Sequence, residues 1–104
     1  MNFDYVIIGA GSAGCLLANR LSESGKHQVC LVEAGPSDWS PFIHIPAGFL
    51  KTVTNKKVNW LYDTEPSWGT NGRAIPTPRG KVIGGSSSIN GLIFSRGQKL
   101  DFDT

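Results

Sequence analysis

Three glycines, Gly9, Gly11 and Gly14, stand at the spacing G-x-G-x-x-G directly behind the apolar run Tyr5-Val6-Ile7-Ile8. Glycine at the first position permits a tight turn out of a strand. At the second it lets a pyrophosphate approach the backbone, and at the third it lets the following helix pack closely on the strand. The N-terminus of that helix offers free amides and partial positive charge to phosphates. Glu33, nineteen residues after Gly14, is placed to accept hydrogen bonds from ribose hydroxyls. A carboxylate there disfavours an extra 2′-phosphate, which argues against NADP. Strand, glycine turn, helix and acid together describe a dinucleotide-binding βαβ unit.

A second glycine-rich stretch runs from Gly84 to Asn90, Gly-Gly-Ser-Ser-Ser-Ile-Asn. Two readings stay open on these residues alone. It is a flexible loop or helix cap, or it is a second anion- or cofactor-binding turn. In the second case the amides of Gly84, Gly85 and Ser86 meet a phosphate, and the Asn90 amide suits a flavin ring edge. Other reactive side chains are few. His27 falls in a helix-to-strand turn and His44 between Ile43 and Ile45, and nothing in the sequence supplies either with a substrate to deprotonate. Cys15 and Cys30 match no zinc or redox spacing and are expected to be buried as small apolar residues. Arg73, Arg79 and Arg96 are each able to balance a phosphate, but as a group are expected at the surface or in packing. Trp39, Trp60 and Trp68 are, as residues, more often core or interface than cofactor walls. No residue set has metal-ligand spacing.

The elements that must position these residues are those of an α/β fold. Residues 3–8 read as a strand buried on both faces of a parallel sheet. Residues 12–24 read as a helix, with Ala13, Leu17, Ala18 and Leu21 toward the sheet and Gly25 as its C-terminal stop. Residues 28–33 form the second strand, closing the βαβ unit at 3–33. From 36 to 78 lies a long irregular segment with all six prolines and all three tryptophans, expected to cover a ligand or to need a neighbour to pack on. Within it, 46–53 holds one or two helical turns and 59–64 a short extended piece. The second glycine motif occupies 79–97 and feeds a short helix. A doubly wound sheet needs several βαβ units and only one is legible. The expectation is therefore the N-terminal portion of a Rossmann-like domain, incomplete on its own.

The formal charge of +2 and the absence of a basic run give no footprint for nucleic acid. The N-terminus has no basic n-region, and its apolar run of about four residues is far short of a signal peptide or a membrane span. The expected location is cytoplasmic, with a peripheral association at the inner membrane left open.

The run R-G-K-V-I-G-G-S-S-S-I-N-G-L-I-F-S-R-G from Arg79 to Gly97 resembles the N-terminal signature of the glucose–methanol–choline (GMC) oxidoreductases. So do D-Y-V-I-I-G-A-G-S-A-G-C, L-V-E-A-G-P, I-H-I-P-A-G at 43–48 and N-W-L-Y-D-T-E-P at 59–66. The likeness covers essentially all 104 residues and is nearest to choline dehydrogenases and acceptor-dependent alcohol dehydrogenases. It implies a flavoprotein carrying FAD. Gly9, Gly11 and Gly14 would hold the pyrophosphate and Glu33 the adenosine ribose, with Ser12, Ala13 and Ala34 also cofactor-binding. Val82 and the run Asn90, Gly91, Leu92 and Ile93 would lie along the isoalloxazine, with Gly84, Gly85 and Ser86 nearby and Trp60 beside the flavin. The implied reaction oxidises a primary alcohol, choline or an aliphatic alcohol, by hydride transfer to flavin N5. Electrons would pass on to a quinone, another acceptor or oxygen. The family's catalytic base is a histidine of the C-terminal part, so no catalytic residue is expected in this chain. Two other readings stand beside this one: an NAD-linked dehydrogenase domain, or a non-catalytic nucleotide-binding remnant.

Overall fold

The computed structural model describes residues 2–103. Its first unit is a parallel βαβ. Strand β1 (Tyr5–Ile8) pairs in register with β2 (Val29–Val32), Tyr5 opposite Val29 and Ile8 opposite Val32. Helix α1 (Ser12–Ser22) makes the crossover. Gly25 takes φ +68°, the left-handed conformation that ends the helix-to-strand turn without a Cβ clash. All three elements lie where the hydrophobic patterning puts them, to within two residues.

The burial of this unit departs from expectation. The strands are not covered on both faces: Val6 is 57% exposed and Ile8 79%. The sheet has only two strands, and α1 covers what one short helix can. The helix also turns a different stripe inward. Gly14 is buried and Cys15, Ala18 and Leu21 are half-buried, while Ala13 and Leu17 are exposed. The absence of a side chain at Gly14 draws this face in, since a Cβ there would collide with the Gly9 carbonyl oxygen. The cysteines are half-buried rather than buried, and Cys15 Sγ lies 3.2 Å from the Ala10 carbonyl oxygen.

The middle segment has more structure than its irregular composition suggests. Helix α2 (Pro41–His44), a 3-10 turn (Pro46–Gly48) and helix α3 (Phe49–Thr52) follow one another closely. Pro41 and Pro46 each sit in a first turn, where the missing N–H costs nothing. An antiparallel ribbon comes next, with β3 (Tyr62–Asp63) paired to β4 (Pro76–Thr77). The same register continues toward the sheet. Asn59 bridges Gly80, Trp60 N–H donates to Arg79 O at 2.9 Å and Lys81 N–H to Val58 O at 2.8 Å.

The core lies at the foot of this ribbon, where Val58, Val82 and Ile89 pack together with Ile43 against them. Asn59, 1% exposed, makes the polar part of the same junction. Its Nδ2 donates to Val53 O at 2.6 Å. Its Oδ1 accepts from Leu61 N–H at 3.0 Å and Arg79 N–H at 2.9 Å. A buried amide so used ties α3 to both sides of the ribbon, and removing it would orphan two backbone donors. The second glycine motif forms a 3-10 helix (Gly85–Ser88), not an α-helix.

The chain is open. Its radius of gyration is 17.4 Å, against about 13 Å for a compact domain of this length. Its accessible surface is 8324 Å², against about 5,700 Å² from size scaling. No helix among the described residues is long and apolar enough to cross a membrane.

Candidate functional site

The two glycine motifs, far apart in sequence, are joined by backbone. Gly84 N–H donates to Ala10 O at 2.7 Å, and Gly11 and Gly84 form a parallel bridge. Gly84 takes φ +91° and Gly85 φ +62° to make this approach. A Cβ on Gly85 would stand 3.0 Å from Gly11 Cα. The second turn therefore lies flat on the first because Gly85 has no side chain to hold it off Gly11.

Between them opens a cleft of about 490 Å³, inside the size range of small-molecule and cofactor sites. Ile8, Gly9 and Gly11 form one wall, and Val32, Glu33 and Ala34 a second. Trp60, Arg79, Gly80, Gly85 and Ser86 complete it. It sits beyond the C-terminal ends of both parallel strands, where open α/β sheets bind ligands.

Each wall has a distinct chemistry. Gly9 has φ +95° and takes the chain out of β1. Cys15 N–H to Gly11 O, 2.9 Å, is the first bond of α1, so the amides ahead of it have no partner inside the helix. Gly11 has φ −78° and ψ −171°, extended backbone open to any residue. Nothing lies within 4 Å of where its Cβ would be. Neither conformation nor packing within the chain demands glycine here. The space in front of it is a cradle that a side chain would fill.

Glu33 closes the opposite end. Its Oε2 accepts Ala10 N–H at 2.7 Å and its Oε1 accepts Gly35 N–H at 3.0 Å. The carboxylate therefore braces the β1 turn against the β2 turn. Each oxygen keeps a lone pair for a further donor, such as a hydroxyl. Trp60 is the aromatic wall. Lys81 Nζ stands 4.6 Å from its ring centroid, and Tyr62 stacks on it at 5.9 Å with an interplanar angle of 5°. Both contacts restrain an indole that is otherwise 41% exposed.

The structure brings together Gly9, Gly11, Glu33, Ala34, Trp60, Gly85 and Ser86 around one cleft. The other expected residues lie elsewhere. Gly14 packs α1 on the β1 turn. Ser12 meets Ser87 through hydroxyls 3.5 Å apart, Ala13 is exposed, and Gly84 serves the junction. Val82, placed beside a flavin ring by resemblance, is 0% exposed; its side chain fills the core instead. Trp60 shares the cleft of Glu33, and Asn90 lines a separate groove. That groove, about 20 Å³, is lined by Asn90, Leu92, Ser87 and Ser88 with Phe42 and Phe49. Asn90 Oδ1 accepts Leu92 N–H at 2.8 Å, while Gly91, Leu92 and Ile93 are exposed. Ile8, Val32 and Gly80 line the cleft without having been singled out for it, and Arg79, named as able to balance a phosphate but expected at the surface or in packing, lines it too. The glycine beside Arg79 and the ribbon register were the signals available. His44 is held away from the cleft by Asp38, its Nε2 lying 2.7 Å from the Asp38 carbonyl oxygen.

Comparison with known proteins agrees with this architecture. The family model described as GMC oxidoreductase matches residues 3–104. An alcohol dehydrogenase [acceptor] of Pseudomonas putida is 51% identical over 100 residues, which is 96% of this chain and 18% of the relative. An oxygen-dependent choline dehydrogenase of Vibrio vulnificus is 52% identical over 102 residues, 98% of this chain and 18% of the relative. The chain thus spans about a fifth of the length of the curated relatives it matches. Among solved structures, a pyridoxine 4-oxidase superimposes with TM-score 0.85 at 44% identity, over 98% of this chain and 20% of that one. A formate oxidase of Aspergillus oryzae, studied for FAD modification, gives TM-score 0.80 at 38% identity, over 97% of this chain and 18% of that one.

Proposed function

The chain belongs to the GMC oxidoreductase family, and from that membership we propose that its cleft holds the adenosine and diphosphate of FAD in an oxidoreductase acting on a primary alcohol. The alcohol dehydrogenase and choline dehydrogenase relatives support an aliphatic alcohol or choline as substrate class. The observation that carries the proposal is the open cradle over Gly11. It is a glycine the chain does not need for itself, facing a cleft between two amide-bearing turns.

The residues fit the group. Gly9 and Gly11 leave room for a diphosphate at the α1 N-terminus, Gly85 and Ser86 face it from the second turn, and Glu33 and Ala34 receive the ribose. Trp60 offers its ring at this adenosine end. Ser12 and Ala13 belong to the same helix start. The exposed run Asn90–Ile93 leaves the second turn and is proposed to lie along the isoalloxazine. When bound, FAD would supply two-electron chemistry, as the acceptor of a hydride from the alcohol carbon. This chain contributes binding, orientation and the amide field, and no residue of its cleft is a general base for an alcohol. Reduced cofactor would be reoxidised by a quinone, another acceptor or oxygen. The working location is cytoplasmic or peripheral to the inner membrane.

The test is the visible spectrum of the protein, as encoded by its gene, purified after reconstitution with excess FAD. Flavin bands that survive removal of free FAD are expected. A colourless protein whose melting temperature rises with NAD and not with FAD would overturn the proposal in favour of a nicotinamide-linked domain.

A further inference from the structure

The cleft wall carries one cation whose side chain has no protein partner among the described residues. Arg79 lines it beside Gly80, Gly85 and Ser86. Its backbone is fixed on both sides, N–H to Asn59 Oδ1 at 2.9 Å and C=O to Trp60 N–H at 2.9 Å. Its guanidinium makes no hydrogen bond and no ion pair among the described residues. Glu33, the one carboxylate of the cleft, is beyond the 4.0 Å ion-pairing distance. The other arginines differ. Arg20 is paired with Glu23 at 3.2 Å, and Arg73 Nε donates to Thr70 O at 3.1 Å. Arg96 lies in the exposed 91–103 stretch and lines no cleft. Lys81 is engaged over the Trp60 ring. Arg79 alone combines a fixed backbone, a free planar fork of donors and a position on a cleft wall.

We infer that Arg79 is the diphosphate-binding cation of this site, its guanidinium answering the charge that the amides of the two glycine turns face. This rests on the reading of the cleft as a dinucleotide site. The physical argument is independent of it. Arg79 is exposed at the cleft wall, and a guanidinium there with no protein partner has a donor fork that matches phosphate oxygens two at a time. The ribbon explains the placement. Trp60 and Arg79 lie opposite one another, so one register sets an aromatic surface and a cation side by side at one end of the cleft.

The test uses the protein as encoded by its gene, stripped of flavin, with Arg79→Ala and Arg79→Lys variants. Affinities for FAD, ADP and adenosine are measured by titration at two salt concentrations. Arg79→Ala is expected to weaken FAD and ADP about 10- to 100-fold, the scale of a charge-assisted phosphate contact, and to leave adenosine within about twofold. Arg79→Lys should recover part of the loss. The salt dependence of ADP binding should flatten in Arg79→Ala. Equal losses for ADP and adenosine would overturn the inference, because they assign Arg79 to base stacking or to shaping the cleft. Unchanged ADP affinity would overturn it outright. If the unsubstituted protein binds neither FAD nor ADP, the dinucleotide reading itself has failed. Retained secondary structure and an unchanged melting temperature of the stripped variants are expected, since the Asn59 bond is made by the Arg79 backbone.

Discussion

In the turn at Gly84–Gly85 both glycines answer to the chain itself. Each has positive φ, and Gly85 lies against Gly11 Cα. In the turn at Gly9–Gly14 the outer two are bound in the same way, Gly9 by φ +95° and Gly14 by the Gly9 carbonyl behind it. Gly11 has neither constraint. The second turn is therefore fully explained by how the chain folds, and the first is not. What remains unexplained in the first is a space the size of a side chain, opening on the cleft. A glycine motif read from sequence mixes residues that serve the backbone with residues that serve a ligand, and only geometry separates them.

Substitutions can break this division or sharpen it. The largest expected effect is that of Gly14→Ala. Its Cβ meets backbone that cannot swing aside, so stability should fall by about 3 kcal/mol or more, read as a lowered melting temperature with or without flavin. Next is Gly11→Ala. FAD affinity should drop about 10- to 100-fold, equivalent to about 1.4–2.8 kcal/mol, while the flavin-free melting temperature stays put. A flavin-free melting temperature that falls as far as that of Gly14→Ala would abolish the distinction between the two glycines. Gly85→Ala should cost about 1–2 kcal/mol of stability from its left-handed φ and the press on Gly11. Differential scanning calorimetry of the flavin-free protein checks that, and no loss would mean the turns are not in contact. The smallest effect is that of Ser12→Ala. Its hydroxyl contact to Ser87 is 3.5 Å long, and a change within about 0.5 kcal/mol in either stability or binding is expected.

The local parts of this architecture were legible in the sequence. The apolar runs at 5–8 and 29–32, the intervening helix and the left-handed Gly25 each follow from a few adjacent residues. The inward face of α1 was not, because Leu17 follows helical spacing for a covered sheet and this chain supplies a sheet of two short strands. The pairing of the ribbon escaped because it joins Val58–Asp63 to Pro76–Lys81 across twelve residues, mostly polar or glycine, with no period to announce it. Arg79 escaped with it. It opens the second motif, but as one of three arginines able to balance a phosphate it was expected at the surface or in packing, and the register opposite Trp60 is what sets it on the cleft. Asn59 is similar, a polar residue whose burial depends on three backbone partners supplied by other segments. The second turn feeds a short helix as the sequence suggests, and consecutive positive-φ glycines lead into it as a 3-10 helix.

The hydrogen bond from Gly84 to Ala10 has a consequence for the birth of the protein. It closes a loop of seventy-four residues, against twenty-four for the ladder between Tyr5 and Val29, and the added chain entropy is only about 1 kcal/mol. The delay is the larger matter. At roughly 5–20 residues per second of synthesis, the strand–helix–strand unit is complete for several seconds before the second turn exists. During that interval the first turn has no opposite wall, and its apolar strands stand open. On the proposed reading the cleft has no second wall until Gly84 is made, and a nascent chain halted before Gly84 would have the fingerprint without that wall.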